Sequence, residues 1–430
     1  MTKILIVGSG GREHAIAWAI RNTSTEPVEI LCAPGNAGIG QIAQLVDIPI
    51  NDHSALADFV RAEKIDLTFV GPEAPLASGI VDLFATRNLR IVGPNASAAR
   101  LEASKIFAKD FMARYRIPTA AYRVGESPAQ TLQYLRSGEF GSAEAPVVIK
   151  ADGLAAGKGV VVAENRSEAE KAIEDLMVHH LAGKDAAARV VIEEALIGTE
   201  ASLLLFTDGR DYAVMPAARD HKRIGENDTG PNTGGMGTIT DGSVLQGGIQ
   251  ERVVREIVEP TLAGALAEGF AFKGILFLGL MLTEDGPKLL EYNVRFGDPE
   301  TQAILVRLKT DLLSVFESIH NETLGGLQVD WIEGSSACVV AANKGYPGKY
   351  ERGAVIEGLE EVERDSVQVF HAGTSRDTNG RFTATGGRVL GVTAAALDLS
   401  TALGLCYESI ENIHWAGMQY RRDIGRTVAG

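Results

Sequence analysis

The chain has 430 residues, 45% hydrophobic and 23% charged, enough to bury a large core and to divide into several domains. Lys plus Arg number 41 against 56 for Asp plus Glu, a formal charge of -15, which excludes a broad nucleic-acid or anionic-membrane surface and requires any bound phosphate to be gripped locally. Three distant cysteines, Cys32, Cys338 and Cys406, form no CxxC pair, and neither a signal peptide nor a long apolar run is evident, so a cytoplasmic protein without disulfides or structural zinc is expected.

Residues 1–100 alternate short apolar runs with helical stretches: 4–7, a helix from residue 12, 28–31, a helix over 54–63, 67–70, and a helix before 90–92. This predicts a parallel α/β sheet. The loops GSGGREH, APGNAG and GPEAPL follow strands, where such a sheet presents its ligand crevice. A helix over 98–115 leads through Ile117-Pro118 into a second pattern, in which PVVIK (146–150) and GVVVA (159–163) flank a glycine-rich loop and read as an antiparallel hairpin. A helix over 167–180, a strand over 189–194 and strands near 201–206 and 212–215 complete an α+β unit. The stretch HKRIGENDTGPNTGGMGTITDG is glycine-rich and poor in apolar residues, so a long structureless loop of the kind used as a lid is expected there. After a helix over 249–268, ILFLGLML and PKLLEYN read as strands paired across a TEDG turn, and RFGDPETQ opens another helix. From about residue 326 the short strands of SSACVVAANKG, DSVQVFHAG and GRVLGVTA, with a closing helix over 397–412, indicate a small mixed domain.

Gly8-Ser9-Gly10-Gly11-Arg12-Glu13 invites a dinucleotide-binding reading, but Glu13 stands where G-x-G-x-x-G has its last glycine; a plain turn or a single-phosphate site fits better. Asp152 to Gly159 resembles a P-loop, yet its glycine spacing is one residue short, Gly159 replaces the Ser or Thr, and a strand follows. It reads as a hairpin tip whose N–H groups and Lys158 fold over polyphosphate, with a solvated turn as the alternative. Lys150 ends an apolar strand and needs an anionic partner. Glu291 and Asn293, two apart on a strand, present a carboxylate and an amide oxygen on one face as hard magnesium ligands; a polar strand edge is the plain alternative.

In this order, Lys105, Lys150 with its glycine-rich hairpin, VIEEAL and a later E-x-N strand resemble the ATP-grasp superfamily. GREHA, PGNAG, GPEAPL, KADGLAAGKGV, DHKR, DTGPNTGGMG, RFGDPETQ, YPG and VFHAGT, spread over essentially the whole chain, closely resemble the phosphoribosylamine-glycine ligase (glycinamide ribonucleotide synthetase) family. The resemblance implies an N-terminal parallel α/β substrate domain over 1–100, an ATP-grasp core of two α+β subdomains over 101–325 with the hairpin subdomain at about 118–195, and a small C-terminal mixed domain over 326–430.

It implies that Lys105, Lys150, Gly153, Gly157, Lys158 and Gly159 bind the phosphates of ATP, Glu193, Glu194 and Leu196 the adenine, and Glu200 the ribose. Glu291 and Asn293 would hold magnesium, or manganese, without the acidic ligand that many ATP-grasp enzymes carry on the preceding strand, here Leu278-Gly279-Leu280-Met281. Asp220 and Arg295, with Gly297, would take glycine; Gly10, Gly11, Arg12, Glu13, Asn36, Gly71 and Glu73 would take 5-phosphoribosylamine. For His14, His221 and His371, polar packing stands beside catalysis. The implied activity is ATP-dependent ligation through an acyl phosphate by a monomer acting on small molecules, with no nucleic-acid or membrane partner. Two other readings stand beside it: another ATP-grasp ligase with different flanking domains, and a nucleotide-binding regulatory module, against which the joint presence of Lys105, Lys150, Glu291 and Asn293 argues.

Overall fold

The N-terminal unit follows the predicted alternation of strands and helices. Five parallel strands lie in the order Gln44–Leu45, Val28–Pro34, Thr2–Gly8, Leu67–Val70 and Ile91–Val92. The order reverses at the central strand Thr2–Gly8, and helix Gly11–Thr23 starts at its carboxyl end, so the glycine-rich turn opens into the crevice at the switch point. The computed structural model describes residues 1–154, 159–181, 183, 186, 188–362 and 366–426; Gly157 and Lys158 lie outside them.

The single helix expected over 98–115 is two, Ala96–Ala103 and Lys105–Arg114, broken at Ser104. Ser104 is extended, its hydroxyl caps the second helix by accepting from the Phe107 N–H, and the same hydroxyl donates to Asp152 Oδ1 at 2.8 Å. Apolar periodicity runs through such a break unnoticed. The break puts Lys105 in the first turn of a new helix.

Strands Val147–Ala151 and Val160–Ala163 form the predicted antiparallel hairpin, inside a four-stranded sheet ordered Tyr122–Gly125, Val190–Glu194, Val147–Ala151, Val160–Ala163. Helix Arg166–Met177 buries Ala169, Ala172, Ile173 and Leu176 against it. Strands Lys273–Thr283 and Gly286–Asn293 pair across the expected turn.

The stretch expected to be structureless, from His221 to Gly242, is ordered. Arg223–Gly225 and Thr229–Asn232 form a small hairpin, and Gly237–Thr240 is an interior strand of a ten-stranded sheet. That sheet runs from Gly286–Asn293 through Lys273–Thr283, Thr199–Asp208 and Ala218–Asp220 to Gly237–Thr240, then on through Ser335–Asn343, Arg388–Ala396 and Val367–His371. Thr238, Ile239 and Thr240 are all buried, but only one is strongly apolar; Thr240 Oγ1 bonds Ser336 Oγ at 2.7 Å instead. A buried strand satisfied by hydroxyl hydrogen bonds gives no hydrophobic signal. Among the described residues no helix is long and apolar enough to cross a membrane.

Candidate functional site

The strand Gly286–Asn293 places Glu291 and Asn293 on one face, because the intervening Tyr292 is fully buried on the other and its hydroxyl bonds Thr261 at 2.7 Å. Opposite Glu291 in the neighbouring strand lies Gly279, so no carboxylate faces it there. Burial works to raise the Glu291 carboxyl, but Lys105, Lys222, Lys150 and Arg295 together hold it down at about 2. Lys222 also pairs with Glu200 at 2.7 Å; burial works against its charge, and Glu200 and Glu291 raise it above the ordinary lysine range.

The glycine-rich hairpin is moored to the helix that carries Lys105. Asp152 Oδ1 accepts from Ser104 Oγ at 2.8 Å and from the Ile106 N–H at 2.9 Å, its Oδ2 pairs with Arg189 at 2.7 Å, and its carbonyl accepts from the Lys105 N–H at 2.9 Å. The Gly153 N–H bonds the Ala186 carbonyl, and the Gly159 carbonyl accepts from the Ala151 N–H. Lys150 reaches Glu193 Oε2 at 3.0 Å and the Leu290 carbonyl at 3.2 Å. Glu194 accepts from the Ala121 N–H, Leu196 follows in the connection beyond, and Glu200 lies exposed on the next strand.

Arg295 is the hub of the opposite wall. It bonds Glu73 at 3.3 Å, Glu102 at 3.1 Å, Asn293 Oδ1 at 3.3 Å and the Phe296 carbonyl at 3.1 Å. Arg12 reaches the same Phe296 carbonyl at 3.0 Å and pairs with Glu13 at 2.6 Å, joining the N-terminal turn to the large sheet. The Glu13 carboxylate also accepts from the Gly10 N–H and fills the space beside Gly71, where a Cβ would overlap it. Gly11 likewise lies against Gln302, and Gly297 against the Glu300 carboxylate. Asp220 faces Glu300: burial and that like charge raise the Asp220 carboxyl, while burial raises Glu300. The Asn36 side chain is held by four bonds: Nδ2 donates to the Ser9 and His371 carbonyls and Oδ1 accepts from the Gly38 and Ile39 N–H groups.

Three family profiles match this arrangement in order: phosphoribosylglycinamide synthetase N domain over residues 2–102, its ATP-grasp (A) domain over 103–301, and its C domain over 336–427. The chain belongs to the phosphoribosylglycinamide synthetase family. It is similar to the phosphoribosylamine–glycine ligases of Escherichia coli K12, 47% identical with 98% of each chain covered, and of Caldanaerobacter subterraneus subsp. tengcongensis, 44% identical over 98% of this chain and 99% of that one. The crystal structure of the Thermotoga maritima phosphoribosylamine–glycine ligase superposes with a TM-score of 0.83 at 33% identity, covering 98% of this chain and 100% of that one. The biotin carboxylase domain of the Hydrogenobacter thermophilus 2-oxoglutarate carboxylase, solved with MgADP and bicarbonate, shares the fold at a TM-score of 0.72 and 14% identity, covering 97% of this chain and 91% of that one.

The structure gathers five further residues around these groups that the sequence pattern did not single out. Lys109, one helical turn after Lys105, shares Glu193 with Lys150 at 3.1 Å; Glu102, also near Lys105, pairs with Arg295. Lys222 and Glu300 stand within the quoted runs DHKR and RFGDPETQ, and their partners Glu200 and Ser202 come from elsewhere in the sheet. Arg388 arrives from the C-terminal strands and donates to the carbonyls of Gly234 at 2.5 Å and Asp298 at 2.6 Å. For Lys109 and Glu102 the helical spacing around Lys105 was an available signal; for Arg388 there was none.

Proposed function

We propose that this chain joins glycine to 5-phosphoribosylamine at the expense of ATP, giving glycinamide ribonucleotide, ADP and phosphate, a step of purine biosynthesis. The observation that carries the reading is the convergence of Lys105, Lys150, Lys222 and Arg295 on Glu291 in a chain of this family. A carboxylate is a poor electrophile, so one glycine oxygen attacks the terminal phosphorus, the bond to the bridging oxygen breaks, and ADP leaves. The amine of phosphoribosylamine then adds to the acyl carbon and loses a proton, and phosphate departs with that carboxylate oxygen. No nucleophilic side chain is required; alignment and charge neutralisation supply the catalysis.

Lys105, Lys150, Gly153 and Gly159 serve the phosphates, joined by Gly157 and Lys158, with Glu193, Glu194 and Leu196 at the adenine and Glu200 at the ribose. Glu291, held ionised, and Asn293, whose amide oxygen shares its face, suit a hard cation such as magnesium or manganese. Glu291 and Asn293 would hold the ion from the protein side, and phosphate oxygens and water would complete its shell. The ion supplies neutralisation of the phosphates. Asp220 and Arg295, with Gly297, orient glycine, while Gly10, Gly11, Arg12, Glu13, Asn36, Gly71 and Glu73 take phosphoribosylamine. On this reading residues 1–100 are the substrate unit, 101–325 the ATP-grasp core and 326–430 the C-terminal unit of a cytoplasmic monomer.

Glycine carrying oxygen-18 in its carboxylate tests the proposal. Phosphate release from ATP should require glycine, and the phosphate should gain one labelled oxygen per turnover. Release without glycine, or unlabelled phosphate at full product formation, overturns it.

A further inference from the structure

Lys109 and Lys150 donate to the same oxygen of Glu193, Oε2, at 3.1 and 3.0 Å. The other oxygen, Oε1, is buried and has no hydrogen-bond partner among the described residues. All three residues are enclosed, at 2%, 5% and 1% exposure for Lys109, Lys150 and Glu193. Each comes from a different element: helix Lys105–Arg114, strand Val147–Ala151 and strand Val190–Glu194. Lys109 is held further by a 2.7 Å bond to Thr119 Oγ1, which in turn donates to the Leu289 carbonyl at 2.6 Å. Lys105, Lys109, Glu193 and Glu291 line one small cavity, so Lys109 lies at the edge of the proposed ATP site.

One lysine would balance one carboxylate. The second adds buried charge, which is costly; burial and the nearby Lys150, opposed by Glu193, leave Lys109 at about 8. The arrangement becomes intelligible once the two lysines are given different tasks. On the reading above, Lys150 belongs on the phosphates of ATP, and to reach them it must release Glu193. If Lys150 were the sole cation there, its departure would strand a buried, unpaired carboxylate, and that penalty would be subtracted from nucleotide binding.

We propose that Lys109 is a positioning residue that keeps Glu193 neutralised and so frees Lys150 to transfer from Glu193 to the phosphate oxygens. Lys109 does not touch ATP; it acts through Glu193. The inference rests on the ATP-dependent activity proposed above and adds to it the residue that makes Lys150 available.

The test compares Lys109→Met with the pair Lys109→Met/Glu193→Gln, measuring glycine-dependent phosphate release together with circular dichroism. The single variant should raise the KM for ATP at least about tenfold with the KM for glycine unchanged, because Glu193 then retains Lys150. Adding Glu193→Gln removes the charge that retains it while keeping the length and an acceptor oxygen of the side chain proposed at the adenine, and should recover most of that loss. A merely structural lysine would not be rescued by a second change in its own partner. A parental KM for ATP in the single variant, or a pair no better than the single, overturns the proposal. If neither Lys109→Met nor Lys109→Gln folds, Lys109 is a structural cation and the proposal is equally overturned. Failure of the parental protein to release phosphate with glycine would refute the activity and this inference together; normal parental activity with unchanged variants refutes the inference alone.

Discussion

The ionisation of Glu291 is decided by charges that approach it from four places in the chain. Its own burial favours the neutral acid, and Lys105, Lys222, Lys150 and Arg295 reverse that preference, leaving the carboxyl at about 2. The spacing Glu291-x-Asn293 alone carried little information, since many strands show it. What distinguishes it is the company brought by folding. Lys150 was legible within a recognisable run and Lys105 through the order of the ATP-grasp motifs; Lys222 stands in such a run and Lys109 one helical turn after Lys105, but their roles were not legible, because their partners Glu200 and Glu193 come from distant strands. Glu291→Gln should therefore leave the fold intact by circular dichroism, since a neutral amide fits the same space. Glycine-dependent phosphate release should fall by at least about a hundredfold, because the proposed metal site loses its one carboxylate. Parental turnover in the folded variant would remove Glu291 from the metal site.

At the scale of elements, the regular parts of the fold were readable and the polar parts were not. The parallel strands of the N-terminal unit and the 147–163 hairpin announce themselves by apolar runs and glycine turns. The segment from His221 to Thr240 does not, because its order comes from the C-terminal residues that clasp it. Arg421, 1% exposed, forks onto Asp423 with two bonds of 2.8 Å and reaches Asp228 at 2.7 Å and the Arg223 carbonyl at 3.0 Å. Asp423 accepts from the Asn227 N–H at 2.7 Å, and the Gly425 N–H donates to His221 Nε2 at 3.1 Å. No local pattern encodes a clasp between residues nearly two hundred positions apart. Arg421→Met strands the buried Asp423 carboxylate and should lower unfolding stability by about 3 kcal/mol, read from urea midpoints. Asp228→Asn, whose native side chain is 45% exposed, should cost less than about 1 kcal/mol. Faster tryptic cleavage after Arg223 should accompany the first change and not the second. An unchanged midpoint in Arg421→Met would show that the clasp does not hold the segment.

Across the whole molecule, the N-terminal unit meets the C-terminal strands through two histidines 357 positions apart, a contact with no trace in local sequence pattern. The His371 N–H donates to His14 Nδ1 at 2.8 Å, so neutral His14 carries its proton on Nε2. The His14 ring meets Phe370 edge-on at 5.6 Å, and Asn36 bonds the His371 carbonyl from the N-terminal side. Burial, with the neighbouring His371, holds His14 down at about 3; burial and then Arg376 hold His371 at about 4. Both imidazoles are therefore neutral in the folded protein at pH values where an unfolded chain protonates them. Between the unfolded value near 6.5 and the folded values of about 4 and 3, the unfolded state binds the extra protons, so stability is full above that window and declines as pH falls through it. Each histidine contributes at most about 1.4 kcal/mol per pH unit. His14→Asn keeps an acceptor near Nδ1 but cannot titrate, so its loss of stability between pH 6.5 and pH 5 should be smaller than the parental loss by about 1.6 kcal/mol, the slope integrated over that interval. The raised Asp220 and Glu300 carboxyls and the other histidines are common to both proteins, which leaves the difference to His14. Urea midpoints at pH 6.5 and pH 5 measure it. Equal losses in the two proteins would mean that the fold does not hold His14 neutral.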